Sequence, residues 1–344
     1  MKKHHHKKDM PSWKPSIRTD LAVESAELVR SGEQMEELED IPGVRMSVKQ
    51  TGEDQAIKTT WIEIYNETGA EQMGKPIGNY ITVESESMKR NDVEAHEAII
   101  KILAEQLVKL RDIHEESIIL VVGLGNWHVT PDALGPKVVS KILVTRHIME
   151  QLPEDLEGSV RPVSAVSPGV MGLTGIETSD IVKGIVDRIK PDLVIAVDAL
   201  AARHASRINA TIQMSDTGIQ PGAGMGNRRT ALNEKHLGVP VIAIGVPTVV
   251  DAATLVNDSL DLMLSAMAEE LPEGSPFFNM LGSLEGSEKY ALICDVLDPY
   301  AGNMFVTPKE VDAVIERLSN IIANAVNIAL HPGISKEDIN RYIY

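Results

Sequence analysis

Two aspartates of the 344-residue chain stand in the same local sequence 66 positions apart, Asp132-Ala-Leu and Asp198-Ala-Leu. Asp198 ends the apolar run Leu193–Val197, and Asp132 follows the apolar run Ile118–Val122 by way of a glycine-containing turn. If both runs are parallel strands of an open α/β sheet, both carboxylates point into the crevice beyond the strand ends, where such sheets bind ligands. Two carboxylates in one cleft make either an acid/base pair or a metal site. Taken singly, each has a plain structural role. Asp132 ahead of Ala-Leu-Gly-Pro is a helix cap, and Asp198 closes a buried strand and caps the next segment. Recurrence at equivalent strand ends makes coincidence the weaker account.

The turn before Asp132 is Gly123-Leu-Gly-Asn126. A dinucleotide fingerprint requires a third glycine three residues after the second, and that position holds His128. Asp132 also puts a negative charge where a helix start would receive a pyrophosphate. The turn therefore reads as cleft-lining, with backbone amides around Gly123, Gly125 and Asn126 available to a developing oxyanion. Asp216-Thr-Gly218 is the tripeptide of pepsin-like proteases, which need two copies in an all-β frame; one copy in an α/β chain reads as a turn. Gly222–Asn227 with Arg228 and Arg229 reads either as a cradle for an anion or, more simply, as a mobile loop at the edge of the cleft. His128 and His204, the histidines nearest the two aspartates, are candidate ligands or proton carriers, or simply solvated loop residues. Cys294 is the only cysteine and reads as a core residue; it excludes an internal disulfide and agrees with a reducing, cytoplasmic setting.

The elements that must carry these residues follow from periodicity. Val44–Val48, Trp61–Ile64 and Tyr80–Val83 alternate as half-buried strands. A helix is predicted from Asn91, with Glu94 closing a capping box and Ile99, Ile102, Leu103, Leu107 and Leu110 forming its apolar stripe. Strand and helix then alternate: strands over 117–122, 160–166, 192–197, 210–214 and 239–244, helices from near Pro136, over 179–190 and from Asp251. After a Pro- and Gly-rich stretch over 271–287, a last helix starts with Thr307 as cap, Pro308 in its first turn and Glu310 in a capping box. This pattern predicts a mainly parallel sheet covered by helices on both faces, with a small added amino-terminal β layer.

Composition excludes other classes. A net charge of −17 argues against direct nucleic-acid binding, and twelve aromatic residues leave little for base stacking. No apolar run approaches the roughly 20 residues that span a bilayer. Residues 1–20 carry +4 and the remainder −21, so a basic arm precedes an acidic body; its three consecutive histidines read as a solvated tail.

Longer blocks add a resemblance. Val129-Thr-Pro-Asp-Ala-Leu-Gly-Pro-Lys137, Arg161-Pro-Val-Ser-Ala165, Pro168-Gly-Val-Met-Gly172, Thr174-Gly-Ile-Glu-Thr-Ser-Asp180, Asp198-Ala-Leu-Ala-Ala-Arg203, Gly245-Val-Pro-Thr-Val-Val-Asp251 and Val306-Thr-Pro-Lys-Glu-Val-Asp312, with Gly123-Leu-Gly-Asn126, resemble the germination protease family of spore-forming bacteria. The likeness runs from Ser16 nearly to the end; the histidine-rich start and a shorter segment around 266–287 depart from it. The resemblance implies an endopeptidase that degrades small acid-soluble DNA-coating proteins in the spore core, with no membrane partner and a homotetrameric assembly. It implies a zymogen cut between Asp20 and Leu21 within Ser16-Ile-Arg-Thr-Asp-Leu-Ala-Val-Glu24, so that residues 1–20 are a propeptide and 21–344 one α/β peptidase domain. It assigns catalysis to Asp132 and Asp198. The related Gly-x-Gly-Asn and distant Asp of the nickel-dependent hydrogenase maturation proteases, which share the expected fold, bind metal. Two mechanisms therefore stand: direct activation of water by two carboxylates with no cofactor, or a divalent ion held by Asp132 and Asp198.

Overall fold

Along β4 (Ile119–Gly123) every side chain is buried, yet alternate positions enter different cores. Ile119 and Val121 join one cluster, Leu120 and Val122 the other. The same split runs through β6 (Leu193–Ala202), where Leu193, Ile195 and Val197 face one way and Val194 and Ala196 the other. A strand packed on both faces loses its polar alternation, which is why these segments read as continuous apolar runs.

The computed structural model describes residues 19–33, 40–151, 159–220, 230–270, 286–301 and 304–334. The basic arm to residue 18, the loop Gly222–Arg229 and most of the Pro- and Gly-rich stretch lie outside the described residues. These divide into two compact units, Asp251–Phe305 and Thr19–Val250 with the chain from Val306.

The larger unit is built on one mixed sheet. Its amino-terminal strands are β1 (Val44–Thr51), β2 (Ile57–Ile64) and β3 (Gly78–Glu84); β5 (Val163–Val166), β7 (Thr211–Ser215) and β8 (Val241–Asp251) complete its main path. The order is β1-β2-β3-β7-β8-β6-β4-β5, and the two-residue β9 (Phe305–Val306) pairs with β8. Strands β8, β6, β4 and β5 are parallel; β1, β2, β3, β7 and β8 pair antiparallel in turn. The strands expected as an added β layer thus continue the parallel sheet edge to edge, because the short β7 pairs with both β3 and β8. Between β6 and β8 the register shifts: Leu200 pairs with Pro247 but Ala201 with Val249, leaving Thr248 as a bulge.

Helices cover both faces of the parallel part. On one side α3 (Val93–Leu110) and α10 (Val311–Leu330) pack together and bury Ile99, Leu103, Leu107, Ile315, Leu318 and Ile322 with α4 (Leu134–Val139) beside them. On the other, α6 (Thr178–Ile189) brings Val182 and Val186 onto the sheet, next to α7 (Glu234–Leu237) and its Leu237. By length and composition α10 is apolar enough to cross a membrane, contrary to the reading from run length. However, 67% of its most apolar window is buried, so it serves as a core helix here. A third cluster forms where α1 (Ala22–Glu33) lays Leu21, Ala22, Val23 and Ala26 over Ile62, Ile64, Tyr80 and Leu200.

Local starts differ from expectation in two places. Asp92, not Asn91, caps α3, its carboxylate accepting from the Ala95 amide at 3.1 Å. Thr307 does not cap α10: its hydroxyl donates to the Thr248 carbonyl at 2.9 Å, tying the bulge to the chain before the helix. Short α2 (Glu67–Met73) and α5 (Met171–Thr174) complete this unit. In the smaller unit α8 (Ala252–Glu270) and α9 (Gly286–Ala301) close around Ala253, Tyr290 and Ile293, and Cys294 is only partly buried, packed against that cluster and not inside it as a core residue would be.

Candidate functional site

The crevice forms where β4 stops and β6 continues. Gly123 pairs with Val197, and the next amide, that of Leu124, donates to the Val197 carbonyl at 2.8 Å. The chain then turns through Gly125 at φ +108, where a Cβ would lie 2.0 Å from the Asp132 carbonyl; only glycine fits. The Asn126 amide donates to the Asp132 carboxylate at 2.8 Å and to its carbonyl at 3.1 Å. Asp132 ends the 3-10 turn Thr130–Asp132, which packs on β6. At Gly135 a Cβ would meet the Leu124 backbone and the Val197 carbonyl, so α4 begins hard against the same strand ends. Thr130 donates to Asp312 at 2.9 Å, and Lys137 and Lys141 reach Glu316 at 3.1 and 2.6 Å, bracing the turn against α10.

Asp132 stands on the Thr130–Asp132 turn after β4, which packs on β6, and Asp198 lies inside β6, which runs on to Ala202 and does not end at the aspartate as its apolar run suggested. Asp132 is half-buried. Asp198 is 5% exposed and accepts from the Ala199 amide at 2.9 Å. The turn Gly123–Asn126 acts on Asp132 itself: the Asn126 amide is directed at that aspartate and the Leu124 amide at Val197. Trp127 and Val129, at 52% and 47% exposed, form an apolar lip beside it.

Other candidates fall elsewhere. The Asp216 carboxylate accepts from the Asn79 amide at 2.7 Å and from the Asn79 side chain at 2.8 Å, pinning a turn to β3. His128 is exposed. The His204 ring stands 3.9 Å from Glu27 and 3.4 Å from Arg203. Among the described residues, no group of three or more His, Cys, Asp or Glu side chains is arranged to hold a metal ion.

Asp20 and Leu21 are docked, not displayed. Leu21 and Ala22 are fully buried. The Asp20 amide donates to the Ala201 carbonyl at 3.3 Å, and its carboxylate accepts from the Ala201 amide at 2.9 Å. The Asp20 carbonyl accepts from Lys75 Nζ at 3.0 Å and from Gln213 Nε2 at 3.1 Å. Burial pushes the Asp20 carboxyl above its ordinary range and pulls the Lys75 ammonium below its own. Four residues on, the fully buried Glu24 carboxylate accepts from the Arg203 amide at 2.8 Å, the His204 amide at 2.9 Å, Arg207 at 3.5 Å and the Thr19 hydroxyl. Arg207 is also paired with Glu27 at 2.6 and 2.7 Å and with Glu84 at 2.8 Å. Burial opposes its charge, but these hydrogen bonds outweigh that and raise its pKa.

Sequence reasoning placed Glu24 in the junction block but missed Lys75, Arg207 and Gln213 as members of this region. Gln213 alone left a signal: an amide in Ala210-Thr-Ile-Gln-Met214, a strand with central sheet neighbours on both sides.

A helix-covered α/β sheet with acidic residues on β6 and on the turn packed against it is a frame that can carry a hydrolytic site, and similarity to known proteins narrows the class. The germination protease family model matches residues 22–277 and 269–343. A germination protease of Clostridium tetani is 50% identical over 328 residues, covering 95% of this chain and 99% of that protein. One of Bacillus cereus is 44% identical over 365 residues, covering 96% and 98%. The [NiFe] hydrogenase maturation protease HycI of Thermococcus kodakarensis aligns over 61% of this chain and 93% of its own, at 17% identity and a TM-score of 0.29. The chain belongs to the germination protease family and is a peptidase.

Proposed function

We propose that the chain is a self-processing endopeptidase that starts the breakdown of small acid-soluble spore proteins during germination, in the spore core, as a homotetramer. It is made as a precursor cut between Asp20 and Leu21, and water is activated by Asp132 and Asp198 directly. The observation that supports this reading is the packing of the Thr130–Asp132 turn on β6, the strand that carries Asp198, with Asp132 half-buried and Asp198 buried. At close range two such groups share one proton, since both ionise only at high cost. Each accepts from a backbone amide; in this reading Asp132 takes a proton from the attacking water, and Asp198 carries the shared proton and supports the carbonyl oxygen. The exposed Trp127 and Val129 offer contact to an apolar peptide residue.

Asp132→Asn tests the reading. It keeps the shape and the Asn126 contact but removes the base, so self-processing and peptide cleavage should both fall on the order of 10³-fold, with the circular dichroism spectrum unchanged. A variant that still shed its first 20 residues at the parent rate would sink the assignment. Activity in strong chelator should equal that without it; loss restored by a divalent ion would favour the metal version.

A further inference from the structure

The carbonyl of Asp20 is gripped by donors that the two-aspartate chemistry leaves unused. Lys75 and Gln213 converge on its oxygen at 3.0 and 3.1 Å, near the range in which donors stabilise an oxyanion. Gln213 also accepts from the Ala22 amide at 2.6 Å, so one side chain bridges the residues on either side of Leu21, while the Leu21 amide itself donates to the Thr19 hydroxyl at 3.0 Å. Its place in the sheet links it to the candidate site. Gln213 pairs with Gly245, and Gly245 with Asp198, so the three lie on one rung across β7, β8 and β6. Ile212, Met214 and Val197 belong to the core on one face, so Gln213 and Asp198 both project from the other. The third donor, the Ala201 amide, takes the Asp20 carboxylate at 2.9 Å. Lys75 faces Asp20 and Glu24 from the end of α2 with its charge opposed by burial, in a setting where a charge–charge contact is stronger than in water.

We infer that Lys75, Gln213 and the Ala201 amide form the subsite for an acidic residue on the amino side of the cleaved bond, and that Asp20 fills it in cis. This rests on the peptidase reading above. Water, losing a proton to Asp132, adds to the Asp20 carbonyl carbon, and the charge gathering on oxygen is met by Lys75 and Gln213 alongside Asp198. The bond to the Leu21 nitrogen then breaks, that nitrogen takes the proton held by Asp132, and residue 20 departs with a new carboxylate. The three donors are then open to an acidic-then-apolar peptide in trans.

The test is a double-mutant cycle on self-processing of the full chain, followed by mass. With Lys75 present, Asp20→Asn should slow cleavage roughly 10- to 100-fold, the scale of a charge-assisted contact. In Lys75→Gln the same change should matter less than about threefold, and Lys75→Arg should restore the preference for Asp, which a purely structural role of Lys75 would not produce. Equal slowing in both backgrounds would overturn the subsite. If Lys75→Gln fails to fold, Gln213→Leu serves instead: cleavage drops at least about tenfold while the Asp preference survives, because the charge stays on Lys75; loss of that preference, or no drop, counts against it. Asp132→Asn in the same assay separates the two ideas. Continued cleavage there removes the aspartate assignment while the cycle still reads the subsite, whereas a parent chain never cut after Asp20 overturns both.

Discussion

Asp20 and Glu24 are held by neighbouring residues of one strand end, in opposite ways. Glu24 is surrounded: two backbone amides, a hydroxyl and Arg207 all meet its carboxylate, and Arg207 is itself locked by Glu27 and Glu84. Asp20 has one amide on its carboxylate, while the nearby lysine is spent on its carbonyl. Glu24 thus has its acceptors taken up by four donors, whereas burial leaves the Asp20 carboxyl disfavoured as a charge. The lesson is that a buried acid with all its acceptors used is a fixed anchor, whereas one left underpaired is a contact that can be given up.

The contrast breaks hardest at Glu24. Glu24→Ala leaves the Arg203 and His204 amides and Arg207 without their shared acceptor and should cost about 3–5 kcal/mol, read as a lower midpoint in urea unfolding. Arg207→Lys keeps the charge but loses the fork on Glu27 and the contact with Glu84; a loss of about 1–3 kcal/mol is expected by the same measurement. The smallest effect belongs to Asp20 and is a pH dependence. Its docked pKa lies above the free value of 3.8, so the docked acid binds its proton more tightly. Its favourable contribution is fully present below 3.8 and is lost as pH rises through the docked pKa. Lys75 and Glu24, the charged groups facing it, act in opposite directions on that window. In the uncut Asp132→Asn chain, exchange of the Ala201 amide, corrected for its intrinsic rate, should be slower at about pH 5 than at about pH 8. Equal protection at both would erase the distinction between anchor and releasable contact.

Much of the frame was legible because two-sided burial writes itself as apolar runs: β4, β6 and β8 start within two residues of those runs, though β6 continues to Ala202 and β8 to Asp251. Asp198 reads as a strand end because its charge interrupts the apolar run, yet it pairs with Gly245 inside β6 and the strand carries on through Ala199–Ala202. The docked junction was not legible. Helix α1 hides in Leu21-Ala-Val-Glu-Ser-Ala26, whose burial depends on Ile62, Tyr80 and Leu200 from distant segments. Lys75 follows a glycine after a short helix and looks like any surface lysine. Thr307 resembled a cap because its spacing to Glu310 fits a capping box, but the competing acceptor, Thr248, is 59 residues away.

The bulge at Thr248 has a consequence for insertions and deletions. Strand β8 carries one residue more than β6 between Gly245 and Val249. Removing Thr248 would put the two strands back in step, turning Val249 and Val250 to opposite faces and withdrawing the carbonyl that receives Thr307. A one-codon deletion there would do what a conservative point change could not: reset the phase of the strand beside the Ala201 amide while leaving every charged group in the chain intact.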